Sequence, residues 1–303
     1  MELASVAFGQ IMTMVILMVV GAVCAKIGMI DEGTNKKLSN LLLLLVNPLV
    51  IFLSFQRPFE EELLNGLLLT LLLSLVSFII AIAVAHIIYT NRKGKDYAVE
   101  KFGAVYTNAG FLGIPLVNGV FGSEGVFYLT GYLMVFFLFF WTHGLIVMSG
   151  KRDFSTIKKA VLSPPMLSIF LGFALFMLRI EIPQVIYTPL VTLGNINTPL
   201  AMLIAGVSIS GASIMQIVKN KRVFGLCVVR LILLPALTIL VFGLFDIPPI
   251  VLGTVVMVVS CPIAANLIMF AYRYDRDYVY SSQVFAATTI LSLVTIPLVL
   301  LWL

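Results

Sequence analysis

The chain has 303 residues, of which 61% are hydrophobic and only 11% charged, with 19 Lys and Arg against 14 Asp and Glu. Soluble domains carry about 25% charged residues, so this composition excludes the soluble class and defines an all-α, polytopic membrane protein, one transmembrane domain over residues 1–303. The formal charge of +5 implies no nucleic-acid partner, because the basic residues sit in short joints beside apolar runs, where membrane topology already accounts for them.

In chain order, cuts at charged or Pro/Gly/Asn-bearing joints predict ten spans, over residues 5–27, 38–55, 63–89, 101–122, 125–148, 163–180, 189–214, 223–245, 248–271 and 278–302. The first begins without a basic leader and ends on GAVCAK, a poor cleavage site, so it reads as a retained span. Cys24, Cys227 and Cys261 fall in separate apolar runs with no paired or ligand-like spacing, so neither disulfide, metal nor cofactor is expected. The odd-numbered joints hold sixteen of the nineteen basic residues, among them Lys36, Lys93, Lys151, Lys221 and Arg276. The even joints have Arg57 and Arg179 among Glu60, Glu61, Glu62, Glu124, Glu181 and Asp246. The positive-inside rule then places both termini outside a plasma (inner) membrane that the chain crosses many times.

Five spans per half is an odd number, so a duplicated unit enters the bilayer from opposite sides, giving inverted repeats over about 1–150 and 160–303. Echoes between the halves keep their order. NPL at Asn47 to Leu49 answers TPL at Thr198 to Leu200, and the break at Pro115 in span four answers CPIAAN, Cys261 to Asn266, in span nine. The stretch NAGFLGIPLVNG, 108–119, cannot remain a regular helix, since proline lacks an amide donor and glycine offers nothing to hold the helical form. Unwinding is expected over 108–115. Uncovered peptide groups survive at membrane depth only against protein or a watery cavity. Two such breaks crossing near the midplane form a binding site, to which Asn108, Gly110, Gly113 and Pro115 contribute from span four and Ser260, Pro262 and Asn266 from span nine.

These residues resemble the auxin efflux carrier family, which includes the plant PIN-type exporters and bacterial permeases. NAGFLGIPL is similar to its Asn-x-x-x-x-Gly-Ile-Pro-Leu crossover, and Pro262, Phe270, Ala271, Tyr274, Ser282, Val284 and Pro297 are similar to its last two helices. The resemblance implies ten helices in two inverted five-helix repeats, with helices four and nine broken and crossing. It also implies a homodimer, with a scaffold of spans 1, 2, 6 and 7 and transport spans 3–5 and 8–10. Bacterial relatives imply carboxylates such as malate or malonate; the plant branch implies an auxin-like acid. The plant carriers' long central loop is missing here, and Ser74 and Ser77 stand where span three would carry an acid.

Arg230 is the ionisable residue set deepest in a span, at a cost of about 2.5 kcal/mol or more, and two roles remain open for it. It is either the counter-charge of an anionic substrate or a hydrogen-bond donor to carbonyls freed by Pro235. His86 and His143 fall near helix ends, and no Asp or Glu falls in a helix core. Coupling to Na+ or H+ therefore stays open, with Asn108, Ser260 and Asn266 as sodium candidates. The run VFFLFFW, 135–141, reads as lipid-facing bulk with an interface anchor. The expected function is secondary active transport, as a permease, of a small organic anion by alternating access. The alternative is a channel or ligand-sensing receptor on the same scaffold. An enzyme is not expected, because no nucleophile-and-base or metal string occurs.

Overall fold

The computed structural model describes residues 2–90, 96–150, 161–211, 217 and 219–302. Among them there is no strand, only an isolated antiparallel bridge between Thr107 and Ile263. In chain order the helices are α1 (Glu2–Lys26), α2 (Glu32–Leu41), α3 (Asn47–Ser54), α4 (Glu61–Ile88), α5 (Asp96–Val105), α6 (Ile114–Phe139) and α7 (Leu145–Ser149). The second half contributes α8 (Pro164–Met177), α9 (Gln184–Gly194), α10 (Asn197–Ser210), α11 (Lys221–Val228), α12 (Leu234–Phe242), α13 (Pro249–Val259), α14 (Asn266–Arg273) and α15 (Tyr278–Leu300). Four π turns, Leu42–Val46, Ala109–Gly113, Phe140–Gly144 and Val229–Leu233, lead into α3, α6, α7 and α12.

Seven helical stretches are long and apolar enough to cross a bilayer: Phe8–Lys26, Glu32–Ser54, Glu61–Ile88, Ala109–Ser149, Gln184–Ser210, Lys221–Phe242 and Tyr278–Leu300. Predicted spans six and nine fall on the shorter apolar helices Pro164–Met177 and Pro249–Val259. The 41-residue stretch Ala109–Ser149 carries a reversal at Gly122, whose φ of 63° and ψ of −156° lie outside the helical range. That is the joint predicted between spans four and five, and glycine fills it because a Cβ is strained at that φ.

The packing follows the inside-out rule for helices in lipid, where small and hydroxyl side chains face protein and large aliphatic ones face out. On α4, Gly66, Thr70, Ser74 and Ser77 are buried while Leu68, Leu72 and Ile79 are exposed. Each of these hydroxyls donates to a carbonyl of its own helix, at 2.6–2.8 Å, so burial leaves none unsatisfied. Helices α1 and α10 approach until backbones touch. A side chain on Gly21 would collide with the Leu203 carbonyl, and one on Gly206 with the Met18 carbonyl.

The aromatic run 135–141 faces outward only in part: Leu138 is exposed and Phe137, Phe139 and Trp141 are half-buried, whereas Val135, Phe136 and Phe140 turn inward. Phe136 and Phe140 are 6% and 1% exposed and pack with Phe102, Tyr106 and Phe270. The expectation of no acid in a helix core also fails, since Glu100 in α5 is fully buried, 3.4 Å from the Arg222 guanidinium and from the Tyr280 hydroxyl. Glu100 falls just outside predicted span four, which begins at residue 101, whereas α11 and α15 cover it and supply its partners.

Candidate functional site

The site begins where two helices stop. α5 ends at Val105 and α13 at Val259, and the non-helical pieces that follow run past each other. The Asn108 N–H donates to the Pro262 carbonyl at 2.8 Å, and the Ala264 N–H donates to the Tyr106 carbonyl at 3.0 Å. Each break thereby satisfies peptide groups of the other, which a bilayer interior requires. The Ile263 N–H finds the Thr288 hydroxyl at 3.3 Å.

Helix resumes earlier in span four than expected. Unwinding is confined to 106–108, and a π turn over Ala109–Gly113 leads into α6, with Pro115 in its first turn. Pro115 does not unwind the helix, because the ladder already runs in the wider π register, with the Ile114 N–H on the Ala109 carbonyl, and the Gly110 carbonyl is met by the Asn47 amide at 3.1 Å. The Asn108 carbonyl restarts the ladder, accepting from the N–H groups of Leu112 and Gly113 at 3.1 and 3.0 Å.

The two sides of this crossover differ in chemistry. At the carbonyl ends of α5 and α13, Arg230 is 1% exposed and donates three hydrogen bonds. Its Nε reaches the Cys261 carbonyl at 3.1 Å, Nη1 the Ala104 carbonyl at 3.1 Å and Nη2 the Val259 carbonyl at 2.5 Å. These acceptors are freed by the two breaks, not by Pro235. A cation at helix C-termini also meets the negative end of each dipole. The space beside it is only about 10 Å³.

At the amide ends, where Ala109–Gly113 and α14 begin, a cavity of about 160 Å³ opens. Asn108, Gly110 and Asn266 line it, together with Asn47, Thr107 and Ser163. Its walls are apolar, with Phe111, Phe136, Phe137 and Trp141 prominent, and among the described residues no Lys, Arg, His, Asp or Glu lines it. The Thr107 Oγ1 is buried without a well-formed hydrogen bond, although it acts electrostatically on the Tyr132 phenol. Helix N-termini present N–H donors and the positive end of the helix dipole, and the side-chain amides of Asn47, Asn108 and Asn266 can donate or accept.

Of the seven crossover residues read from the sequence, Asn108, Gly110 and Asn266 reach the cavity. Gly113, Pro115, Ser260 and Pro262 are buried behind it as backbone structure. The Ser260 hydroxyl donates to the Val256 carbonyl at 2.7 Å. Asn47, Thr107 and Asn197 were passed over. Asn47 stands inside the NPL echo and Asn197 directly before TPL, so the signal was present in the sequence. His143 accompanies the site from outside. Its Nδ1 lies 2.9 Å from the Tyr106 hydroxyl, whose proton goes to the Phe139 carbonyl at 2.8 Å, so the imidazole is the donor to that oxygen. Among the described residues no group of three or more His, Cys, Asp or Glu side chains is placed to hold a metal ion.

Apolar helices without a soluble domain, two of them interrupted against each other around a cavity, define a membrane transport protein. The model of the family described as membrane transport protein matches twice, over residues 6–153 and 153–300, and the chain belongs to that auxin efflux carrier-like family. It is 27% identical over 298 residues to an uncharacterized transporter of Methanothermobacter thermautotrophicus, with 95% of each chain covered. It is 28% identical over 299 residues to an uncharacterized transporter of Methanocaldococcus jannaschii, covering 92% of this chain and 93% of the relative. The two matches of the family model put Asn108 in the first copy and Asn266 in the second.

Proposed function

We propose that the protein is a secondary active transporter, a permease, that carries a small organic anion through the plasma membrane by alternating access around this crossover. In this reading ten spans form two inverted five-helix repeats, and the broken spans four and nine present the fixed site. Spans 1, 2, 6 and 7 serve as scaffold in a homodimer, with both termini outside. The observation that carries the reading is the polarity of the crossover: Arg230 consumes its carbonyl ends, while its amide ends, with Asn108 and Asn266, line the cavity. The cavity reaches Trp141 and the turn Ser163–Pro165, which flank the Lys-rich joint 150–162, so it belongs to the cytoplasmic side.

The lining also bears on the substrate. One carboxylate fits the amide ends, but a second would stand against Phe and Trp side chains with no cation among the described lining residues to offset its desolvation. A monocarboxylate with an apolar body is favoured over malate or malonate. Coupling by sodium at the crossover carbonyls is disfavoured, because Arg230 already holds the position that a cation would take.

Uptake into proteoliposomes tests this reading, with phenylacetate and indole-3-acetate as monocarboxylate probes and malonate as the dicarboxylate. Saturable uptake of a monocarboxylate, unchanged when K+ replaces Na+, is the expected result. Failure of all three to move would end the anion reading, and preference for malonate would end the single-charge argument.

A further inference from the structure

Asn47 and Asn197 are 3% and 4% exposed, come from the two matched halves of the chain, and meet behind the cavity that Asn47 lines. The Asn197 Nδ2 donates to the Asn47 Oδ1 at 2.6 Å, and the Asn47 Nδ2 donates to the Gly110 carbonyl at 3.1 Å. These bonds settle which end of the Asn47 amide faces where. A backbone carbonyl accepts only a donor, so the nitrogen must face Gly110, and the donor of Asn197 requires the oxygen on its own side. The Asn47 nitrogen has a second hydrogen, and among the described residues no acceptor meets it. Asn47 lines the cavity, beside the N-terminal ends of the interrupted helices. Gly110 completes the arrangement, because a Cβ there would stand 3.3 Å from the Asn47 Nδ2 and press on it.

We infer that Asn197 is a positioning residue that locks the Asn47 amide with its nitrogen toward the cavity, making Asn47 a further donor to the substrate carboxylate. The inference rests on the anion-transport reading above. A buried amide free to turn over presents donor or acceptor equally, and an acceptor aimed at a carboxylate repels it. A second amide holding the oxygen removes that alternative, as a partner fixes the tautomer of a ligating histidine. Here the lock joins residues from both halves of the chain.

Phenylacetate uptake by proteoliposomes, with thermal unfolding of the same preparations, tests the pair. Asn47→Asp keeps the size and the acceptor for Asn197 but loses both donors. Its KM is expected to rise at least tenfold, about 1.4 kcal/mol of binding, with Vmax and Tm near wild type. Asn197→Asp sets an acceptor against the Asn47 oxygen, so no single orientation of the Asn47 amide satisfies both residue 197 and the Gly110 carbonyl, and the hold on its nitrogen is lost. KM should rise by a similar factor although residue 197 is not in the cavity wall. Gly110→Ala should raise KM three- to fivefold by pushing the Asn47 nitrogen aside, and with Asn197→Asp it decides the matter if Asn47→Asp does not accumulate. Variants with wild-type KM, or with lowered Vmax and Tm at unchanged KM, would make the pair a structural link and overturn the inference. No uptake by the wild type would remove the transport reading itself, an outcome distinct from wild-type uptake that the variants leave unaltered.

Discussion

The two faces of the crossover are made from the same two breaks and yet are filled in opposite ways. On the carbonyl face one guanidinium serves three acceptors and leaves about 10 Å³ of space. On the amide face the protein supplies only neutral amides and hydroxyls around about 160 Å³. A broken helix exposes donors and acceptors in equal number. This chain fills the carbonyl face with its own cation and leaves the amide face open as a cavity. The contrast teaches that a site's charge preference is set as much by which half of the break is closed as by the residues in the cavity.

The comparison breaks most visibly at Arg230. Arg230→Leu strands three buried carbonyls, each costing about 1–3 kcal/mol. The expected outcome is a Tm lowered by more than about 10 °C or failure to accumulate as a monodisperse protein. Arg230→Lys keeps the charge but cannot fork across three acceptors, so thermal unfolding should place it between Leu and wild type. A stable Arg230→Leu protein would mean that the carbonyl face is not held as described.

Next in size is Asn108→Ala, which removes a donor from the open face and leaves the three Arg230 bonds of the closed one in place. Monocarboxylate uptake should fall tenfold or more while Tm stays within about 3 °C. A parallel collapse of Tm would show that the two faces are not separable. The smallest effect is expected from Gly113→Ala. A Cβ there meets the Ala109 Cβ and the Asn108 carbonyl at 3.7 Å and the Cys261 Sγ at 3.8 Å, ordinary contacts, so uptake and stability should remain near wild type. A severe loss would assign the backbone between the faces a stiffness beyond these contacts.

How much of this was legible depended on whether the signal lay in one segment or between segments. The apolar runs, the presence of a break in span four and the turn at Gly122 could be read directly, because Pro, Gly and charge act on their own neighbourhood; the break falls at 106–108, ahead of the 108–115 expected. Pro115 was misplaced as the breaker. Its effect depends on whether a helix begins just before it, and that beginning is set by the Asn108 carbonyl and by Pro262 in a distant span. Arg230 left two roles open because its acceptors belong to residues 104, 259 and 261, which only the folded chain assembles. Glu100 was left outside predicted span four since Arg222 and Tyr280, which cover it, are equally remote. Asn47 carried a legible motif without a legible role, for its partner lies 150 residues away.

The contact of Gly21 with Leu203 and of Gly206 with Met18 has a consequence for biosynthesis. Helices so close exclude lipid between them, and α1 is made first while its neighbour α10 is made only after the chain has passed Gly206. Through most of translation α1 must therefore wait in the bilayer with its glycine face unmated, and final closure is a late event that follows insertion of the helices between. Enlarging either glycine would then act as an assembly defect, sparing the early helices and stalling the polypeptide at its last docking step.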